Sequence, residues 1–409
     1  MCCCTLVHTL KLSHMHNLDF IIWNFDPELY TLFGKFPIRW YGLLFALGFL
    51  ISQQVLFYIY KQESDGSIKA KQNAERMVEN MTIYMIIATI VGARLGHVIF
   101  YQPEDYFTSF EGLVRILNIR EGGLASHGAG IGIFLIMLLY THYRFNVKEG
   151  KFSKLFFIKN NRGYTYLQIM DRLAIVVALT GALIRMGNFA NSEIIGIPND
   201  SNSGVVFARE ITDYLEFDAT GSGWVEEVRY KKAPDSLRKK NSSVPIYIDI
   251  EFKKRTYNEA QLFAYLDNGV NGKLARMSEH IDEPMQHNLD YRLVQTSDGV
   301  YTARISTFAI PRYPAQLYES ITTFLLFLIL FYIWTRKKKE TMPGLLFGIF
   351  MTYVFVGRFF HEFIKENQVS FEDNLTLNMG QWLSIPMVIF GILILIIAKK
   401  KYDSQGTGS

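Results

Sequence analysis

Cysteine is almost missing from this chain of 409 residues: its three thiols are Cys2, Cys3 and Cys4. The body therefore has no disulfide framework, no cysteine-held metal and no cysteine nucleophile of its own. A leader pattern is missing too, because His8, Lys11, Ser13, His14 and His16 break the stretch from Thr5 to Leu18. A signal peptide needs a basic start, an apolar run and a small-residue cleavage site, so an exposed tail is expected there. Excess charge of one sign is scarce: 42 Lys+Arg stand against 38 Asp+Glu, a net charge of +4. With no Lys/Arg stretch interleaved with aromatics, nucleic acid is set aside as a partner. There is no GxxxxGK[ST], and no GxGxxG following a strand. No His/Asp/Glu cluster has metal-ligand spacing, and neither an internal repeat nor paired interrupted helices of the secondary-transporter kind is found. Neither a metal nor a cofactor is called for.

What the chain does have is long apolar runs. The average of 49% hydrophobic and 20% charged residues would fit a soluble protein, but it mixes two unlike materials. Seven runs of about 17–21 residues approach the roughly 20 needed to cross a hydrocarbon core: Trp40 to Tyr60, Met81 to Tyr101, Leu124 to Tyr140, Leu173 to Phe189, Leu317 to Trp334, Gly344 to Phe363 and Trp382 to Ala398. Basic residues cluster in alternate connections, at Lys61, Lys69, Lys71 and Arg76, at Arg144, Lys148, Lys151, Lys154, Lys159 and Arg162, at Arg336 to Lys339, and at Lys399 to Lys401. Short basic loops mark the cytoplasmic side, so the amino terminus is expected outside and the carboxyl terminus inside. The expected fold is an all-α polytopic membrane protein of seven transmembrane helices with an inserted extracytoplasmic domain containing β-structure. In that domain, Ile246, Ile248, Ile250 and Phe252 alternate with polar residues at the period of a half-buried strand. The insert reads either as a solvated decoration or as a guide for substrate. The expected boundaries are an extracytoplasmic segment at 1–37, spans one to four within 38–198, the insert at 199–312, spans five to seven within 313–398 and a cytoplasmic tail at 399–409.

Ionisable groups in a span are costly and suggest function. Here Arg94 and His97 in span two, His127 in span three, Arg185 and Asn188 in span four, and Arg358, His361 and Glu362 in span six all fall within roughly 10 Å of the outer boundary at 1.5 Å per residue. Tyr41, Gln316, Tyr318 and Glu319 open their spans at the same level. Tyr41 and Tyr318 also suit interfacial anchoring, His361 snorkelling, His97 polar packing, and Arg94 a structural pairing with Glu319 or with helix carbonyls. Arg185 and Arg358 present planar donor forks suited to phosphate. Arg358 and Glu362 share a helix face at i, i+4. The run Arg185, Gly187, Asn188, Asn191, Glu193, Gly196 is dense in polar residues and glycine at a helix exit, where glycine suits close approach to a ligand. His127 follows Glu121-Gly-Gly-Leu-Ala-Ser at a glycine-rich helix start, where anions meet backbone N–H groups.

These residues lie in stretches that resemble the bacterial phosphatidylglycerol–prolipoprotein diacylglyceryl transferase family: Ile38-Arg-Trp-Tyr-Gly42, Gly92-Ala-Arg-Leu-Gly96, Gly122-Gly-Leu-Ala-Ser-His-Gly128, Arg185-Met-Gly-Asn-Phe-Ala-Asn-Ser-Glu193, Tyr313-Pro-Ala-Gln-Leu-Tyr-Glu319, Gly357-Arg-Phe-Phe-His-Glu362 and Met379-Gly-Gln-Trp-Leu-Ser384. They occur in the family's order and cover 38–198 and 312–398. The chain departs from the family's pattern at Ala129, at Ile184 and at Val354, where a tyrosine is usual and Tyr353 is adjacent. The resemblance implies transfer of a diacylglyceryl group from phosphatidylglycerol to the lipobox cysteine of preprolipoproteins in the bacterial inner membrane, among membrane lipids. It implies His127, Arg185, Arg358, Glu193 and Glu362 as catalytic residues, with His127 as the natural base and Glu193 or Glu362 as runner-up. It implies Tyr41, Arg94, Asn188, Gly196 and Gln316 as substrate-binding residues. Two rival classes are a transporter of an anionic lipid or solute and an inactive lipoprotein-binding scaffold.

Overall fold

A computed structural model describes residues 20–34, 36–118, 123, 125–142, 163–199, 204–217, 223–234, 243–254, 258–282, 288–366 and 376–406. The helices in chain order are α1 (Trp40–Gln62), α2 (Ile68–Phe100), α3 (Pro103–Phe107), α4 (Phe110–Arg115), α5 (Ser126–His142), α6 (Tyr166–Ala190), α7 (Arg209–Glu216), α8 (Glu259–Ala264), α9 (Asn271–Arg276), α10 (Ala315–Lys337), α11 (Leu345–His361) and α12 (Met379–Gly406). The strands are β1 (Ile21–Trp23), β2 (Glu28–Leu32), β3 (Phe36–Arg39), β4 (Val205–Phe207), β5 (Val225–Lys232), β6 (Val244–Phe252), β7 (Asp290–Gln295) and β8 (Tyr301–Ala309). The chain divides into two compact units, one of Gly42–Met186, Glu319–Glu362 and Val369–Ser409, the other of Met1–Tyr41, Gly187–Tyr318 and Phe363–Gln368.

The first unit is helical. Among the described residues six helices are long and apolar enough to cross a membrane. The seventh expected span is α5, an apolar helix of 17 residues, at the short end of the range that spans a bilayer; Leu124, its expected start, lies outside the described residues, as does the basic loop after it. Helices also outrun their apolar cores. α2 begins at Ile68, not Met81, because Ser67 caps it by accepting from the Ala70 N–H and the charged residues that follow are good helix formers. α12 begins at Met379 behind a reciprocal cap, in which the Asn378 N–H donates to Gln381 and the Gln381 N–H donates to Asn378. Outward-facing Ile389, Leu393, Ile396 and Ile397 give α12 the apolar exterior of a helix in lipid.

Lipid supplies no hydrophobic drive between helices, so close backbone approach must hold them. A Cβ on Gly92 would come within 2.5 Å of the Gly128 carbonyl oxygen, one on Gly96 within 2.7 Å of Gly128 Cα, and one on Gly132 within 2.6 Å of the Ala88 oxygen. Two GxxxG repeats, Gly92/Gly96 on α2 and Gly128/Gly132 on α5, thus set that crossing. α1 meets α6 through the Ser52 and Thr180 hydroxyls, 2.7 Å apart.

The second unit is α+β. Four antiparallel strands run in the order β5-β6-β8-β7. Ile246, Ile248, Ile250 and Phe252 are all buried, the alternation expected from the sequence. They pack with Leu262, Leu266 and other residues of the helices on that face. Between α8 and α9 the chain stays helical through a π-wound turn, Tyr265–Val270. β1 lies parallel beside β4 with Ile21 opposite Val205, so this unit draws on residues before α1 as well as on 199–312.

Candidate active site

In the helical unit two arginine–glutamate pairs stand out. Arg185 on α6 meets Glu319 on α10, Nε to Oε2 2.7 Å. Glu319 is anchored at a tight crossing: the Ser320 hydroxyl donates to the Ala182 carbonyl at 2.8 Å, and a Cβ on Gly181 would touch Thr323 at 3.3 Å. The sequence left Glu319 open to pairing with Arg94; the structure gives it to Arg185. On α11 the Arg358 Nε lies 3.6 Å from Glu362 Oε1, one turn on, and makes no hydrogen bond among the described residues. Glu362 is cradled from α12: Asn378 donates to its Oε2 at 3.2 Å, and a Cβ on Gly380 would fall 2.6 Å from its carboxyl carbon. A residue with a side chain at position 380 would push that carboxylate aside.

His127 begins α5 half-buried, with the Phe100 and Tyr101 rings at 5.3 and 5.7 Å. Its ring nitrogens have no hydrogen-bond partner among the described residues. Of its glycine-rich approach, Gly123 is described, while Glu121, Gly122 and Leu124 lie outside the described residues. Gly123 has φ +69°, and a Cβ there would strike His97 at 2.4 Å. Arg94, expected among the substrate-binding residues, is tied to backbone carbonyls. It is buried, donates from Nη2 to the Arg115 carbonyl at 2.7 Å and from Nε to that of Ile116 at 3.0 Å, and lies over the Tyr106 ring. Its charge closes the carboxyl end of α4, where cations are favoured.

In the α+β unit the candidates gather around Glu193. Its carboxylate accepts from Asn188 Nδ2 at 3.3 Å and from Asn191 Nδ2 at 2.9 Å, and its N–H donates to the Asn188 carbonyl at 2.9 Å. Ser192 and Ile194, on either side, both have φ +57°. Left-handed backbone at non-glycine residues costs about 1–3 kcal/mol each, most for a β-branched side chain. Gln316 is buried and its amide donates to the Glu193 carbonyl at 2.5 Å. The space a side chain on Gly196 would need is filled by the Tyr313 and Ile364 carbonyl oxygens, at 2.5 and 2.6 Å. Tyr41 does the same for Gly187, whose Cβ would meet Tyr41 Cα at 3.1 Å. Both glycines thus admit close approach of protein backbone.

One cluster escaped the sequence reading. Glu63, Asp171 and Arg172 have side chains at 0% exposure. Arg172 donates from Nε and Nη2 to Glu63 Oε1 at 3.0 and 2.9 Å, and Trp334 Nε1 donates to the same oxygen at 2.7 Å. Asp171 accepts from the Gly344 and Phe347 N–H groups at the start of α11, both at 2.8 Å. These residues sit just beyond the apolar runs, and the adjacent Asp171-Arg172 pair was the available signal.

The family model for prolipoprotein diacylglyceryl transferase matches residues 27–397. The phosphatidylglycerol–prolipoprotein diacylglyceryl transferase of Tolumonas auensis is 31% identical over 93% of this chain and 98% of its own length. Proteins of the same name from Bacteroides fragilis and Chloroherpeton thalassium are 29% and 27% identical, over 95% and 96% of this chain and 99% and 100% of their own.

Proposed function

The chain belongs to the prolipoprotein diacylglyceryl transferase family, and on that premise we propose that it moves the diacylglyceryl group of phosphatidylglycerol onto the lipobox cysteine of preprolipoproteins, the first step of their maturation. It is a polytopic membrane protein and a transferase. In the finer reading it crosses the inner membrane seven times, α5 included, with its amino terminus outside, its carboxyl terminus inside and the 199–312 region extracytoplasmic. The alternating basic loops support this orientation.

In the reaction the thiolate sulfur attacks the glyceryl carbon, a C–S bond forms, and the C–O bond to phosphate breaks. Glycerol phosphate leaves with the electron pair, and the thiol proton goes to a base. Because the nucleophile arrives with the substrate, an enzyme without thiols in its body suffices. Negative charge grows on the departing phosphate, and Arg185 and Arg358 are fixed cations able to stabilise it. The observation that carries this reading is the form of the two pairs: each arginine is oriented by one carboxylate, and the Arg358 Nε keeps a donor uncommitted among the described residues. His127, whose ring nitrogens have no hydrogen-bond partner among the described residues, takes the proton from a thiol of ordinary pKa about 8.5, with Glu193 or Glu362 as the alternative base. Asn188 and Tyr41 orient the headgroup, with Arg94, Gly196 and Gln316 as the further substrate-binding residues of this reading.

Purified protein with phosphatidylglycerol and a lipobox peptide, followed by peptide mass and released glycerol phosphate, tests the assignment, with a Cys→Ala peptide as control. A thiol-dependent gain of one diacylglyceryl group is expected. No product from folded protein would return the choice to a transporter or scaffold.

A further inference from the structure

Arg312 immediately precedes the Tyr313–Glu319 motif and has no part in the chemistry above. It is 2% exposed, and every nitrogen of its guanidinium is engaged. Nε and Nη2 donate to the Glu279 carbonyl at 2.9 and 2.7 Å, and Nη1 donates to the Gly196 carbonyl at 3.0 Å and to Glu366 Oε1 at 2.5 Å. A buried guanidinium is tolerated only when it is paired and fully hydrogen-bonded, and here one side chain draws three separate segments together. The backbone repeats the junction. The Gly196 N–H donates to the Tyr313 carbonyl at 3.0 Å, Tyr313 N–H to Ile197 at 3.1 Å, and Ile197 N–H to Ile364 at 3.0 Å.

The consequence lies three residues upstream. Ser192 and Ile194 hold left-handed backbone, a conformation that persists only where the surroundings over-determine it. On the amino-terminal side Asn188 and Asn191 hold the Glu193 carboxylate, and Gln316 holds its carbonyl. On the carboxyl-terminal side the chain is fixed at Gly196, through its N–H by Tyr313 and through its carbonyl by Arg312. Release of that second point would let residues 194–196 relax and turn Glu193 away.

We propose that Arg312 is a positioning residue for the transfer, pinning the Gly196 carbonyl so that the strained turn presents the Glu193 carboxylate in its working orientation. This rests on the transferase reading. It differs from a role in stability alone because the loss must fall on turnover per folded molecule while substrate affinity survives.

The test uses full-length protein in detergent, with kcat, KM for peptide and lipid, and melting temperature measured for wild type, R312K, R312Q and E366Q. Lysine keeps the charge, but its single head cannot reproduce the guanidinium fork. R312K and R312Q are expected to lower the melting temperature, as loss of a buried arginine does, and in addition to lower kcat per folded molecule about tenfold or more while KM stays within about twofold. E366Q, which leaves both carbonyl contacts in place, should lower kcat by a smaller factor. Wild-type kcat in folded R312Q, a loss confined to KM, or a loss that tracks the unfolded fraction would each overturn the proposal. Failure of the wild type to make product would instead overturn the transferase reading on which it rests.

Discussion

Helix α6 carries two arginines thirteen residues apart, about 20 Å along its axis, and their surroundings differ in kind. Arg172 is wholly buried and meets Glu63 through two nitrogens, in a network that Trp334 and Asp171 extend to the start of α11. Arg185 keeps a side-chain exposure of 29% and has Glu319 as its ion pair; Arg358, its counterpart on α11, is 38% exposed and 3.6 Å from Glu362. The same residue type is a closed structural bond at one level of the bundle and a partly open cation at the other. A buried pair loses heavily when one partner goes, because the other charge is left unpaired. A half-open cation loses mainly the ligand it was oriented to meet.

The largest effect should therefore come from R172M. Leaving Glu63 and Asp171 buried without their cation is expected to cost about 3–5 kcal/mol, read as a large drop in melting temperature and in yield of folded protein. A stable R172M with normal turnover would break the contrast at its root. Next, R185A and R358A should each reduce turnover by about 10²–10³ or abolish it, with melting temperatures close to wild type. If both instead unfolded as R172M does, the outer pairs would be structural as well. A smaller effect is expected from G380A, where the added Cβ must displace the Glu362 carboxylate 2.6 Å away. Turnover should fall roughly 10- to 100-fold, with KM little changed. Unaltered turnover would mean that the Arg358–Glu362 pair tolerates displacement and that its geometry is not what matters.

How far this contrast could be read in advance follows from where each residue lies relative to an apolar run. Arg185, Arg358 and Glu362 interrupt long hydrophobic stretches, so their cost, and hence their interest, shows in one dimension. Glu63 and Arg172 lie just outside such stretches, in positions that look solvated until the helices are packed. The pairing of Glu319 with Arg185 was equally hidden, since it depends on the α6–α10 crossing, which small residues such as Gly181 and Ser320 set. The strand at 244–252 was legible because one buried face imposes a period of two. The helices over it and the parallel β1–β4 pair were not, as they rest on contacts between residues far apart in sequence. Gly196 marked a place where backbone comes close, and the structure shows the Tyr313 and Ile364 carbonyls there. Arg312 carried no local signal at all.

The smallest effect belongs to a third kind of arginine, Arg304 on the outer face of the sheet, 49% exposed and bound to Asp249 at 2.7 Å. Its hydrogen bonds, with help from Lys231, hold the Asp249 carboxyl below its ordinary value. A carboxylate depressed in the folded state adds stability in full above its unfolded pKa of about 3.9, and that contribution fades as pH falls through the lower folded value. D249N should thus lower the melting temperature slightly at pH 7, by far less than R172M, because exposed pairs contribute little. The difference from wild type should shrink below about pH 4 as the wild-type carboxyl takes up its proton. Turnover at pH 7 should be unchanged. If D249N destabilised as strongly as R172M, exposure would not be what separates these arginines, and the division between closed and open cations along α6 would need another cause.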